Sequence, residues 1–313
     1  MANLDKLVVT GASGLLGFAV VLAARQRNRD VVTLSYRQLV RIPGAVSLSF
    51  DLADHAAVRE FLCTTRPNAI IHCAAATNVD WCEEHSHEAM RINAEASSVL
   101  AEAAFTLGAQ FVYISTDSVF DGRRGLYSEY DEPAPVNAYA RSKLAGEEGV
   151  LRRHSSAIVA RVTLYGWNAQ PKQCLAEWMW NELRQGREVA GFMDVFFTPV
   201  QANDLAEVLL DMLDRKLAGV FHVGAPERIS KYDFARRLAG TFGFAPEQVT
   251  RAHLANARLK AQRPADPSLR TGKIQAALGR AMPGIDSGLR RFRELWDSGE
   301  AQQWKSFVSG AAA

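Results

Sequence analysis

The sequence predicts an α/β protein built on a doubly wound parallel sheet, with a smaller, mixed region toward the carboxyl end. Three observations carry that expectation. The β-branched run Leu7-Val8-Val9 ends at a glycine-rich turn, and the turn opens directly into an apolar helix over residues 15–27. Short apolar strands then alternate with helical stretches as far as Val162. Beyond Val162 the rhythm changes.

The strands are read at 31–34, 46–50, 69–73 and 111–115, each brief, apolar and bounded by turn or helix signals. Helical stretches fall between them at 56–65, 88–107 and 139–151. Parallel neighbours need a crossover, and right-handed crossovers put helices on both faces of the sheet. After Val162 come a helical segment carrying Trp178 and Trp180, the run Phe196-Phe197-Thr198-Pro199, a helix over 203–213 and one more strand, Gly219–Val223. Pro226, Pro246, Pro264, Pro267 and Pro283 then punctuate short helices, a pattern suited to shaping a pocket. The expected division is a nucleotide-binding domain of 1–165 and 196–225, and a substrate-binding region of 166–195 and 226–313. The tail, residues 309–313, reads as frayed.

Composition narrows the function. Hydrophobic residues make up 48% and charged residues 22%, and 36 Lys plus Arg nearly balance 34 Asp plus Glu. That balance argues against an electrostatic nucleic-acid binder. Cys63, Cys73, Cys82 and Cys174 form no CxxC pair and fit neither a zinc site nor a secreted disulfide framework, so reduced packing cysteines and no metal are expected. The longest apolar run, residues 15–24, is too short to span a bilayer. A soluble, cytoplasmic protein without membrane partners is the expectation.

Thr10-Gly11-Ala12-Ser13-Gly14-Leu15-Leu16-Gly17 sets glycines at 11, 14 and 17 between the first strand and the first helix. Glycine there permits a tight turn and lets backbone approach a pyrophosphate, while the helix start supplies unpaired N–H groups. This is the Rossmann-type arrangement. About 20 residues on, where an acid would read the ribose of NAD, the chain offers Ser35-Tyr36-Arg37. A guanidinium pairs with the 2′-phosphate of NADP, so NADP(H) is the expected cofactor and Arg37 its phosphate contact. Asp51 and Leu52, after the third strand, are placed at the adenine. Ala74, Ala75 and Ala76, after the fourth, offer small side chains where the cofactor lies close to backbone.

Tyr139 and Lys143 stand four residues apart at the start of a helix, hence on one face. A neighbouring ammonium is expected to lower the phenol's pKa and fit Tyr139 to act as general acid toward a carbonyl oxygen. Lys143 can also hold the nicotinamide ribose. Ser115-Thr116-Asp117 ends the fifth strand, at the carboxyl edge where such sheets bind ligands. Trp167, just past a strand end, is a candidate for stacking on the substrate, and equally for a core or lid tryptophan.

A TGxxGxxG turn, an upstream Ser or Thr and a YxxxK pair in this order resemble the extended short-chain dehydrogenase/reductases. A closer resemblance is to the dTDP-4-dehydrorhamnose reductase family. It runs through Ser115-Thr116-Asp117-Ser118-Val119-Phe120-Asp121-Gly122, Pro135-Val136-Asn137-Ala138-Tyr139 and Ser142-Lys143-Leu144-Ala145-Gly146-Glu147. Val79-Asp80, Asn93, and Arg263-Pro264 with Leu269 and Lys273 extend it. The resemblance is strong to about Gly166 and weak afterward. It implies Thr116, Tyr139 and Lys143 as the catalytic triad, Asp117 and Arg263 at the sugar site, Asn93 near the cofactor, and a nucleotide-linked 4-keto-6-deoxy sugar as substrate. A homodimer is the assembly it suggests. Two other readings stay open. Asn78-Val79-Asp80-Trp81-Cys82-Glu83 also suits an NADP-binding regulatory subunit like that of methionine adenosyltransferase, and the same phenol and lysine serve sugar-nucleotide epimerases and dehydratases. Arg37 in place of an acid weighs against the last.

Overall fold

In the computed structural model, which describes residues 5–257 and 259–308, seven strands form one sheet. They are β1 (Lys6–Thr10), β2 (Asp30–Ser35), β3 (Ala45–Ser49), β4 (Ala69–His72), β5 (Gln110–Thr116), β6 (Ile158–Val162) and β7 (Gly219–Val223). Their order is β7-β6-β5-β4-β1-β2-β3, and every neighbouring pair is parallel. The tail from residue 309 lies outside the described residues.

Alternation along each strand builds two cores. Leu7, Val9, Ile71 and Val112 face one side, where helices Leu15–Gln26 and Ala202–Asp214 cover them. Val8, Ile70, Phe111 and Tyr113 face the other, under helices His55–Thr65, Ala96–Thr106 and Ala138–Arg153. Each such side chain taken fully from water stabilises the fold by about 1.5–3 kcal/mol before chain entropy is counted. Because both faces of β1, β2, β4 and β5 are covered, these strands read as largely continuous apolar runs, while the edge strand β3 stays mostly exposed.

Two local departures from the sequence expectation matter for the site. The helix expected over 88–107 is interrupted: Ser86–Met90 runs into a π turn, Arg91–Glu95, before Ala96–Thr106. At that turn the buried Asn93 amide accepts from the Ala76 N–H at 2.8 Å and donates to the Ala76 carbonyl at 3.1 Å. Strand β6 is marked in the sequence only by its end near Val162. Its Arg161 is buried and ion-paired to Glu147, so a charged letter stands inside a fully covered strand.

Beyond β6 the chain forms three two-stranded ladders, Leu164–Tyr165 with Val200–Gln201, Phe196–Phe197 with Ile229–Ser230, and Val189–Phe192 with Val249–Ala252. Trp167 belongs to the core here, not to a substrate surface. Its indole N–H donates to the Phe292 carbonyl at 2.6 Å, and its ring stacks on Phe292 at 4.0 Å and meets Trp180 edge-on at 5.0 Å. Aromatic partners and a satisfied N–H make this a packing role. Among the described residues no helix is long and apolar enough to cross a membrane.

Candidate active site

The chain winds outward from β1 to β3, then returns to the other side of β1 at β4. That reversal leaves a crevice at the carboxyl ends of β1 and β4, the place where doubly wound sheets bind ligands. A cleft of about 1170 Å³ occupies it. Its walls are the turns that follow the strands: Gly11, Ser13, Gly14, Leu15, Leu16 and Gly17 after β1, Arg37 after β2, Asp51 and Leu52 after β3, Ala74, Ala75 and Ala76 after β4, and Thr116 and Asp117 at the end of β5. Tyr139 and Lys143 enter from helix Ala138–Arg153. Nearly every predicted cofactor residue therefore lines one cavity.

The glycine turn is shaped for close approach. Gly11 has φ +65°, and a Cβ there would lie 2.6 Å from the Ala74 backbone nitrogen. Any larger residue would force β1 and β4 apart at the mouth of the crevice. Helix Leu15–Gln26 starts with no side-chain cap at Gly14, so its first N–H groups open toward the cleft. Arg37 is exposed and lies 5.5 Å from the Tyr36 ring. Asp51 is also exposed, and its carboxylate accepts from the Ala53 N–H at 2.9 Å. This chemistry fits a dinucleotide: backbone donors and small residues at the centre, a cation at the far end of β2.

Helix Ala138–Arg153 is aimed by Asn137, which caps it by accepting from the Ala140 N–H at 2.9 Å. That cap fixes where the first turn, and so Tyr139, points. Tyr139 and Thr116 line the same cleft, and the Thr116 hydroxyl favours the ionised form of the phenol. Thr116 in turn donates to Asp117 at 3.1 Å and accepts from the Ser118 N–H at 3.1 Å. Lys143 is buried, with Nζ 4.0 Å from the centre of the Tyr113 ring.

The electrostatics correct one expectation. Burial pushes the Tyr139 phenol well above its ordinary value; the nearby Thr116 hydroxyl offsets this and the Asp117 charge adds to it. Lys143 is not what tunes the phenol. Its own pKa is pulled down to about 7 by burial, against the opposing pull of Glu147 and Cys73. The phenol thus stays protonated at neutral pH, the state that a proton donor requires.

Asp117 is buried, and burial pushes its carboxyl up to about 6, against hydrogen bonds from Thr116 and Ser118 and the Lys231 charge. The folded pKa lies above the unfolded one, so ionising Asp117 costs stability. The cost is absent below about pH 4 and complete above about pH 6, roughly 2–3 kcal/mol for a shift of this size. Asp117→Asn is therefore expected to stabilise the protein at pH 8 and leave it unchanged at pH 4. Urea unfolding at the two pH values measures this, and equal effects at both would contradict it.

One further predicted residue is placed differently from expectation. Asn93 does not line the cleft; it braces the Ala76 backbone from behind and donates to Ser142 at 2.9 Å. Arg263 is tied to Asp80 at 2.9 Å and to the Ala261 carbonyl at 2.9 Å, and its charge acts on Lys231, which also feels the Asp117 charge. Unforeseen lining residues include Trp81, Arg91, Gln170 and Lys172. Gln170 and Lys172 come from an irregular stretch with no periodic signal. Among the described residues no cluster of three or more His, Cys, Asp or Glu is arranged to hold a metal ion.

Fold and cleft together define the class: a nicotinamide-dependent oxidoreductase of the extended short-chain type. A family model described as the RmlD substrate binding domain matches residues 5–295. The chain belongs to that RmlD family. It is 32% identical over 285 residues to the probable low-salt glycan biosynthesis reductase Agl14 of Haloferax volcanii, covering 90% of this chain and 95% of that one. It is 31% identical over 312 residues to the methionine adenosyltransferase 2 subunit beta of Danio rerio, covering 97% and 94%. A solved dTDP-4-dehydrorhamnose reductase of Bacillus anthracis, in complex with NADP, superposes with a TM-score of 0.83 at 27% identity, covering 93% of this chain and 99% of that one.

Proposed function

We propose that the protein reduces the C4 keto group of a nucleotide-linked 4-keto-6-deoxy sugar with NADPH. The observation that carries this reading is the meeting of Thr116, Tyr139 and Lys143 in one cleft with the glycine turn. When bound, NADPH supplies the hydride that goes to the keto carbon. Tyr139 gives its phenolic proton to the keto oxygen, which yields the secondary alcohol. Thr116, which lines the cleft with Tyr139, turns its hydroxyl proton from Asp117 to that oxygen and holds it in line with the phenol. Lys143 binds the nicotinamide ribose through hydroxyl contacts that a buried ammonium makes strongly. Mixing the purified protein with NADPH and dTDP-4-keto-6-deoxy sugars should consume the nicotinamide absorbance. No turnover with any nucleotide keto sugar would remove the substrate assignment.

Arg37 supplies the preference for NADPH in this reading. Its guanidinium lies at the β2 end of the cleft, and nothing acidic stands at that turn. A hydrogen bond to a charged group contributes about 1.5–3 kcal/mol. Arg37→Ala is accordingly expected to weaken NADPH binding by roughly tenfold or more and to leave NADH binding nearly unchanged. Titration of nicotinamide fluorescence measures both constants.

A second reading has its own support. The similarity to the methionine adenosyltransferase 2 subunit beta of Danio rerio extends over 97% of this chain. A regulatory subunit would bind NADPH and turn nothing over. Binding without turnover across a panel of nucleotide keto sugars would favour it.

A further inference from the structure

The stretch between Leu164–Tyr165 and helix Leu175–Arg184 forms a closed loop. At its base the Cys174 thiol donates to the Gly166 carbonyl at 3.2 Å, and inside it the Gln170 N–H donates to the Asn168 side chain at 3.1 Å. Its tip reaches across the crevice. The Gln170 amide donates to the Ser13 hydroxyl at 2.8 Å, and the Lys172 ammonium donates to the Thr77 hydroxyl at 3.0 Å. These anchors lie on opposite banks. Ser13 belongs to the glycine turn after β1, Thr77 follows Ala74-Ala75-Ala76 after β4, and β1 and β4 are the adjacent strands at the switch point.

We propose that Gln170 and Lys172 form a clasp that binds the pyrophosphate of the dinucleotide from the side opposite the glycine turn. The proposal rests on the cofactor reading above and adds two ligands to it. Lys172 has three N–H donors and Thr77 accepts one; the Gln170 amide nitrogen has two and Ser13 accepts one. Spare donors therefore remain on both side chains, in the lining of the cleft that the uncapped helix start also lines. A neutral hydroxyl gains little from a cation as partner, whereas a diphosphate lying between these banks gains a charge-assisted hydrogen bond from one. Position separates this role from that of Arg37. The strand order β4-β1-β2 puts Arg37 beyond β2, and both clasp anchors lie at β1 and β4, over the centre of the crevice.

The test compares NADPH and NADH, which share the pyrophosphate and differ in the 2′-phosphate. Equilibrium titration and stopped-flow displacement are run on the full chain and on Gln170→Ala, Lys172→Met and Lys172→Arg. Lys172→Met is expected to weaken both dinucleotides by a similar factor, on the order of tenfold, chiefly through faster release. Gln170→Ala should do the same to a smaller extent, and Lys172→Arg should restore most of the affinity. Unchanged constants in Lys172→Met, while the parent chain binds both dinucleotides, overturn the clasp and leave the cofactor reading intact. A loss confined to NADPH overturns the pyrophosphate assignment. If the parent chain binds neither dinucleotide, the cofactor reading falls and the clasp with it.

Discussion

Tyr139→Phe is expected to lower NADPH-dependent reduction by at least 10²–10⁴-fold, the usual contribution of a positioned proton donor, and to leave NADPH binding within about threefold of the parent. The substitution removes a single oxygen. Its pKa is raised by burial, so at neutral pH it carries the proton that the reaction consumes. Thr116 keeps its donation to Asp117 and its bond from the Ser118 N–H when the phenol is gone, so the strand end does not collapse. The ring remains partly buried and continues to fill its place. A fall in kcat with little change in the NADPH dissociation constant is the pattern that identifies loss of an interaction made in the transition state. If Tyr139→Phe keeps more than about a tenth of the activity, another group delivers the proton. If it loses cofactor affinity as well, Tyr139 is a binding residue rather than a donor.

How much of this was legible in the sequence depends on how local each signal is. The glycine turn declares itself because a strand, a turn and a helix follow one another within twenty residues, and the structure puts Gly11, Gly14 and Gly17 where that reading expects them. Thr116 and the Tyr139–Lys143 pair were also readable, since a strand end and a helical four-residue spacing are both short-range features. Trp167 was not. Its partner Phe292 lies 125 residues away, and no local pattern states whether a tryptophan after a strand faces a cleft or a core. The same holds for Asn93, which a helix period alone would not send to the Ala76 backbone; the π turn Arg91–Glu95 does so. The Tyr139–Lys143 electrostatics were misread for a different reason. Spacing gives proximity, but burial by the rest of the fold decides a pKa, and here it moves the phenol up and the ammonium down.

Arg161 interrupts the apolar run of β6, which blurs that strand in the sequence, and the same residue yields the second large effect. Arg161 and Glu147 are both almost completely buried, and three hydrogen bonds of 3.0, 3.1 and 2.7 Å join them. Glu147 also accepts from Ser115, while the Arg161 guanidinium lies 5.1 Å from the Phe120 ring and 3.4 Å from His222. Burial and the Arg161 charge hold the His222 imidazole down to about 3, so it adds no second positive charge to the pair at neutral pH. Arg161→Met would leave the Glu147 carboxylate in a dry interior with only Ser115 to satisfy it. The expected loss is about 3–5 kcal/mol, a large share of the 5–15 kcal/mol typical of a folded domain. Arg161→Met with Glu147→Gln should recover much of it, because the uncompensated charge is then gone. Urea unfolding of the two single variants and the double variant closes that cycle. The consequence also reaches the site: Ser115 precedes Thr116 on β5, and Glu147 stands one helical turn beyond Lys143 and raises its pKa against burial. Any folded Glu147→Gln protein should therefore lose the Lys143 proton at lower pH than the parent does, shifting the alkaline limb of kcat/KM downward. Single variants that lose less than about 1 kcal/mol would show that the pair is solvated in the native state and that its charge does not act on Lys143.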